Sequence, residues 1–224
     1  MFSQMTVHLS LHDRLVLASL QLLEQASTTH LQRLCFSQPG LSPKSYGVRT
    51  RSKLLRLYRQ GLMRRFPSLG TGGWIYLPEG SRATKIDPHT LDVTELYIRL
   101  VEAERAGRCE ILEWITRERV AGRAADDAYL WMETPAGRRD WHLEVDRDSE
   151  DTPQLREKMR AYCRAYEQTN GNFPSVLFVV TFSARRSLEK RRDLIRSIAQ
   201  RQAEPRLFDA VTINEVVSYC IRET

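Results

Sequence analysis

Within the segment DWHLEVDRDSE, residues 140–150, Glu144 and Asp146 stand two apart in an apolar, strand-like run. Side chains two apart on a strand share a face, so these carboxylates converge. Converging carboxylates can hold Mg2+, which activates a water and neutralises charge on a scissile phosphate. Asp127 opens the preceding run, DAYLWME, and a hairpin between the two runs brings it close to the pair. Glu118, in TRERV, offers a further carboxylate. A lysine that orients the water or stabilises developing charge completes many such sites, but the position two beyond Glu144 holds Asp146. Lys158, in REKMRAY, is the candidate substitute, four residues before Tyr162 on one helix face. The candidate catalytic residues are therefore Asp127, Glu144, Asp146 and Lys158, with the first three as ligands for Mg2+. The plainer alternative is a charged strand end and loop, where solvated pairs contribute about 0–1 kcal/mol. Glu144, between Leu143 and Val145, fits that alternative least, since adjacent like charges need a cation or a proton between them.

The surrounding pattern predicts the scaffold. TLDVTELYIRLVEAERAG reads as a helix capped by Thr90 or Asp92, and CEILEWITRERV as a strand. DAYLWME and DWHLEVD form a hairpin around TPAGRR. TPQLREKMRAYCRAYEQ is a helix with Thr152 as N-cap and Pro153 at its first position. SVLFVVTF has the unbroken apolar run of a strand buried on both faces. RRSLEKRRDLIRSIAQRQ, with its alternating charges, reads as an exposed amphipathic helix, and FDAVTINEVVSY adds a last strand and short helix. Helix, three strands, helix, strand, helix predicts a three-layer α/β domain, an order that resembles the restriction-endonuclease-like core of the PD-(D/E)xK superfamily.

Upstream the chain changes character. Residues 1–90 hold twelve Lys/Arg against four Asp/Glu, within a chain of formal net charge +6. Three helices (around HDRLVLASLQLLEQ, HLQRLCF and SYGVRTRSKLLRLYRQG) precede two short strands on either side of a Gly-rich turn. This is the order of a winged helix-turn-helix, whose third helix enters the major groove while its wing meets the flanking backbone. Val48, Leu54, Leu55 and Tyr58 are expected to line the inner side of that helix. From Lys44 to Arg65 there are eight basic residues and no acidic one. Arg49, Arg51, Lys53, Arg56 and Arg59 of the helix, with Arg64 and Arg65 of the wing, are the expected contacts to duplex DNA. A solvated basic helix face is the bland alternative. The expected division is 1–84, winged helix, and 85–224, restriction-endonuclease-like domain, an α+β protein overall.

HDRLVLASLQLLEQASTTHLQRLCF, KLLRLYRQGLMRR, EWITRER, DDA, HLEVDR, KMRAYCRAY and PSVLFVVTF together resemble the replication-relaxation proteins of plasmids and integrative elements. The resemblance implies a DNA-binding role in replication, mobilisation or DNA relaxation of a mobile element. Homodimerisation or contact with replication and mobilisation proteins is expected with it. The apolar stretch LVLASLQLL is too short to span a bilayer, and four separated cysteines make no Cys-x-x-Cys pair, so a cytoplasmic protein with reduced thiols is expected. The five histidines lack paired ligand spacing. Three functions fit: a DNA-binding protein whose nuclease-like domain serves assembly or positioning, a Mg2+-dependent endonuclease or nickase, and a winged-helix transcriptional repressor.

Overall fold

The computed structural model describes residues 8–37, 43–68, 73–116, 119–120 and 124–222. It divides into two compact units, Met1–Ile98 and Arg99–Thr224. The division falls inside a helix, whereas the turn-rich stretch 78–90 suggested a join at 84/85.

In the first unit, Ser10 caps α1 (Leu11–Leu23), and the Asp13 carboxylate accepts the Ser10 backbone N–H at 2.8 Å. This reciprocal box satisfies N–H groups that every helix start leaves open. Val16, Leu20 and Leu23 form the buried stripe of α1. β1 (Ala26–Ser27) leads into α2 (Thr28–Leu31), capped by the Ser27 side chain, and a π-helical turn covers Gln32–Phe36. α3 (Pro43–Arg59) buries Tyr46, Thr50, Leu54 and Leu57. Val48 and Tyr58 are 56% and 39% exposed, so the inner stripe differs from the expected one. Two residues turn a helix by about 200°, which carries Val48 away from the side Tyr46 occupies. Gly61, at φ 71°, closes the helix in the left-handed conformation that glycine adopts without strain.

β2 (Met63–Pro67) and β3 (Trp74–Pro78) pair antiparallel, and β1 adds to β3, giving the order β1-β3-β2. The Gly-rich turn at 69–72 lies outside the described residues. α4 (Pro88–Arg105) starts earlier than expected. The Asp87 carboxylate accepts the His89 N–H at 3.1 Å and the Thr90 hydroxyl at 2.7 Å, and Pro88 takes the first position, where no N–H is needed.

The second unit is built on a five-stranded sheet of β4 (Glu110–Thr116), β7 (Ala128–Thr134), β8 (Gly137–Asp146), β9 (Ser175–Val180) and β10 (Phe208–Thr212), in the order β10-β9-β8-β7-β4. The two-residue strands β5 (Arg119–Val120) and β6 (Ala124–Ala125) pair separately. β4, β7 and β8 run antiparallel; β8, β9 and β10 run parallel. Parallel neighbours require crossovers, supplied by α5 (Thr152–Gln168) and α6 (Leu188–Ala199). Asp151, not Thr152, caps α5, accepting the Gln154 N–H at 2.9 Å, which makes Pro153 the second helical residue. α7 (Val216–Ile221) ends the unit.

Val176, Phe178 and Val180 of β9 pack with Leu155, Met159 and Tyr162 of α5 and with Ile195 and Ile198 of α6. Leu177 and Val179, on the opposite face of β9, are buried as well. β8, in the centre, is buried from Trp141 to Asp146. Three carboxylate or imidazole side chains of β8 are thereby carried into the interior.

Candidate functional site

His142, Glu144 and Asp146 alternate with Leu143 and Val145, so they share one face of β8. Glu144 is 3% exposed. Tyr162 of α5 donates its hydroxyl to Glu144 Oε1 at 2.6 Å, and Lys158 Nζ donates to Oε2 at 3.0 Å. Lys158 also pairs with Glu150 at 2.8 Å. The helix thus brings to Glu144 the ammonium that the strand lacks, one turn of α5 from the phenol. Burial pushes the Glu144 carboxyl up to about 7; Lys158 opposes that rise, the nearby Asp127 charge adds to it, and Tyr162 opposes it. Burial would lower the Lys158 ammonium, yet the charges of Glu144 and Glu150 outweigh it and raise the group. Burial and the Glu144 charge keep the Tyr162 phenol protonated.

Asp127 lies just before β7. Its N–H donates to the Leu143 carbonyl at 3.1 Å, and its Oδ2 accepts the Val145 N–H at 2.8 Å, so it grips the backbone on both sides of Glu144. The structure therefore gathers Asp127, Glu144 and Lys158.

Asp146 is engaged differently. Arg191 of α6, only 2% exposed, binds it through Nε at 2.8 Å and Nη2 at 2.7 Å. The same guanidinium reaches Asp148 at 2.9 Å and the Glu150 carbonyl at 2.9 Å. The helix whose alternating charges suggested exposure sends one arginine inward, because a buried carboxylate needs a partner. Glu118 lies outside the described residues. Among the described residues, no group of three or more His, Cys, Asp or Glu is placed to hold a metal ion.

A second buried pair escapes a reading by motif. Asp126 Oδ2 lies 2.6 Å from His142 Nδ1, both groups are buried, and no hydrogen-bond partner meets Asp126 Oδ1. His142 packs against Tyr129, Tyr162 and Phe173. The doubled aspartate of DDA and the position of His142 two before Glu144 are the signals that could have revealed it.

In the first unit, Arg49, Arg51, Arg56 and Arg59 are exposed on α3, and Lys53 is half-buried. Lys53 and Arg56 converge on Asp13, which is fully buried, with Lys53 Nζ at 3.5 Å. Burial would raise the Asp13 carboxyl, but hydrogen bonds from Arg56 and Ser10 and the charge of Lys53 hold it far below the usual carboxylate range. An acid from α1 therefore answers part of the basic run that has none of its own. Arg65 lies over the rings of Trp74 and Tyr58, at 3.7 and 4.2 Å, and Arg64 donates to the Ser81 carbonyl at 2.6 Å. The four cysteines are free thiols, and among the described residues no helix is long and apolar enough to cross a membrane.

No curated protein and no solved structure matches the chain. The family model described as replication-relaxation matches residues 78–176, a stretch that runs from the end of β3 to the start of β9 and carries Asp127, Glu144, Asp146 and Lys158. Over that stretch the chain is similar to the replication-relaxation family.

Proposed function

We propose that this protein binds duplex DNA in the replication or relaxation of a plasmid or other mobile element, through a winged helix, and carries a nuclease-like site in its second unit. For the first unit the support is the run of three helices and a hairpin, the sheet order β1-β3-β2, and the exposed Arg49, Arg51 and Arg59 on α3. For the second it is an antiparallel meander continued by parallel strands, in the order β10-β9-β8-β7-β4.

One observation carries the nuclease-like reading: Glu144 of the central strand, beside Asp127, meets Lys158 and Tyr162 of the following helix at 3.0 and 2.6 Å. Asp127 and Glu144 are hard oxygen donors and would hold Mg2+. That ion is commonly bound through one or two carboxylates together with waters and substrate phosphates. With Asp146 committed to Arg191, two protein ligands is the number this site offers. Bound there, Mg2+ would supply charge neutralisation at a scissile phosphate. Lys158 would hold Glu144 in place and present positive charge next to it, while Tyr162 fixes the other carboxylate oxygen.

The same lysine favours a second reading, a Mg2+-dependent endonuclease or nickase. Incubation with supercoiled plasmid and Mg2+ or Mn2+ tests it. Conversion to open circles that disappears in Glu144→Gln and in Lys158→Met is the expected result for the enzyme. Plasmid that is bound and left supercoiled leaves a binding protein with a non-cleaving site, and plasmid that is not bound removes the DNA reading altogether.

A further inference from the structure

The first unit holds a cavity of about 560 Å³ beside α3, on the side of that helix turned toward α1. Its floor is aromatic. The rings of His12 and Phe36 stack with centroids 5.9 Å apart and planes 24° from parallel, and Tyr46 adds a third ring. Phe36 and Tyr46 are almost wholly covered, so the floor is fixed by the core beneath it. Its rim is cationic: Arg49, Lys53 and Arg56 line the mouth, while Asp13 supplies one carboxylate behind two of them. Val48, 56% exposed, stands at the edge.

Among the described lining residues, three cations against one acid leave the mouth positive, and the half-buried His12 ring, backed by Phe36, offers an aromatic surface against which a planar π system can pack. A nucleotide has both parts, a base to stack and a phosphate to meet the rim. The volume lies within the roughly 300–1,000 Å³ range of pockets that enclose small molecules. Intact duplex presents no such part, because its bases are stacked inside. DNA with an unpaired or bulged base does.

We propose that this cavity receives one unstacked nucleotide of the DNA bound by α3. The inference rests on the DNA-binding reading above and adds a substrate class to it: duplex interrupted by an unpaired base. Arg49 serves both surfaces, since it lines the cavity and lies on the exposed side of α3.

Affinities for three probes test the proposal: an intact duplex oligonucleotide, the same duplex with one bulged adenine, and dAMP. The bulged duplex is expected to bind about tenfold more tightly than the intact one, the gain of about one base–aromatic stack. That preference should vanish in His12→Ala, which removes one ring of the floor, with intact-duplex affinity unchanged. Val48→Trp fills the edge from an exposed position, without disturbing the core, and should likewise abolish the difference between bulged and intact duplex. Equal affinity for bulged and intact duplex overturns the proposal and leaves DNA binding standing. A bulge preference that survives both substitutions also overturns it, and dAMP binding as tightly as the bulged duplex would point to a free nucleotide as occupant. Failure of both DNA probes removes the DNA-binding reading and this inference with it.

Discussion

Glu144 is an acid kept in the interior with one ammonium, one phenol and a neighbouring carboxylate, and its proton affinity records that setting. Its carboxyl stands at about 7 in the folded chain against 4.5 for the free side chain. The folded state therefore holds this proton more tightly than the unfolded state does. The stabilisation is fully present below about 4.5 and is lost as pH rises through about 7. Glu144→Gln removes the titration, so the melting temperature of the variant should change less between these pH values than that of the parent chain. An unaltered pH profile would assign the titration to another group. Asp13 has the opposite sign: its carboxyl is held low by Arg56, Ser10 and Lys53 despite burial, so its contribution fades only in strong acid.

Among the elements, β8, α5 and α6 act as one assembly. β8 carries Glu144 to α5 and Asp146 to α6, while Glu150, in the loop after β8, bonds to Lys158 through its side chain and to Arg191 through its carbonyl. The pairing of Arg191 with Asp146 is buried, bidentate and shared with Asp148, unlike the exposed pair of Arg160 with Glu157 on α5. Removing one member of a buried pair strands the other without a counter-charge, which costs about 3–5 kcal/mol, whereas exposed pairs contribute about 0–1 kcal/mol. Arg191→Met should lower the unfolding free energy by that larger amount in chemical denaturation. Arg160→Met should leave it nearly unchanged. Equal small losses in both would show that the Arg191 network does not hold α6 to the sheet.

Charge is distributed unevenly over the whole molecule. Residues 1–98 carry twelve Lys/Arg and six Asp/Glu, and the remaining residues carry equal numbers of each, so the whole formal surplus of +6 belongs to the first unit. A polyanion released from its counterions by such a surface binds with a steep dependence on salt. Changing Arg49, Arg51 and Arg59 together to Ala should weaken duplex binding and reduce the slope of log affinity against log salt by roughly 2 to 3, about 0.9 for each phosphate no longer neutralised. An unchanged slope would take α3 out of the DNA interface. Lys53 and Arg56 make poorer probes, because their removal would strip buried Asp13 of the two cations that converge on it.

The sequence by itself determined what local patterns encode. Its apolar periods placed the helices and the main strands, and the tight hairpin from DAYLWME to DWHLEVD followed from alternation and turn residues. The two-residue spacing put Glu144 and Asp146 on one face, and Lys158 and Tyr162 share a side of α5 as their four-residue spacing required. Cap positions slipped by a residue or more at α4 and α5, since Asp87 and Asp151 compete for the same open N–H groups as the threonines after them. Only the tertiary structure decided which charge meets which. Arg191 lies 45 residues from Asp146 and Asp13 lies 43 from Arg56, separations at which no local period operates. Desolvation settles such pairings: once β8 is buried in the sheet and α1 against its core, each interior carboxylate takes the cation that folding brings within reach.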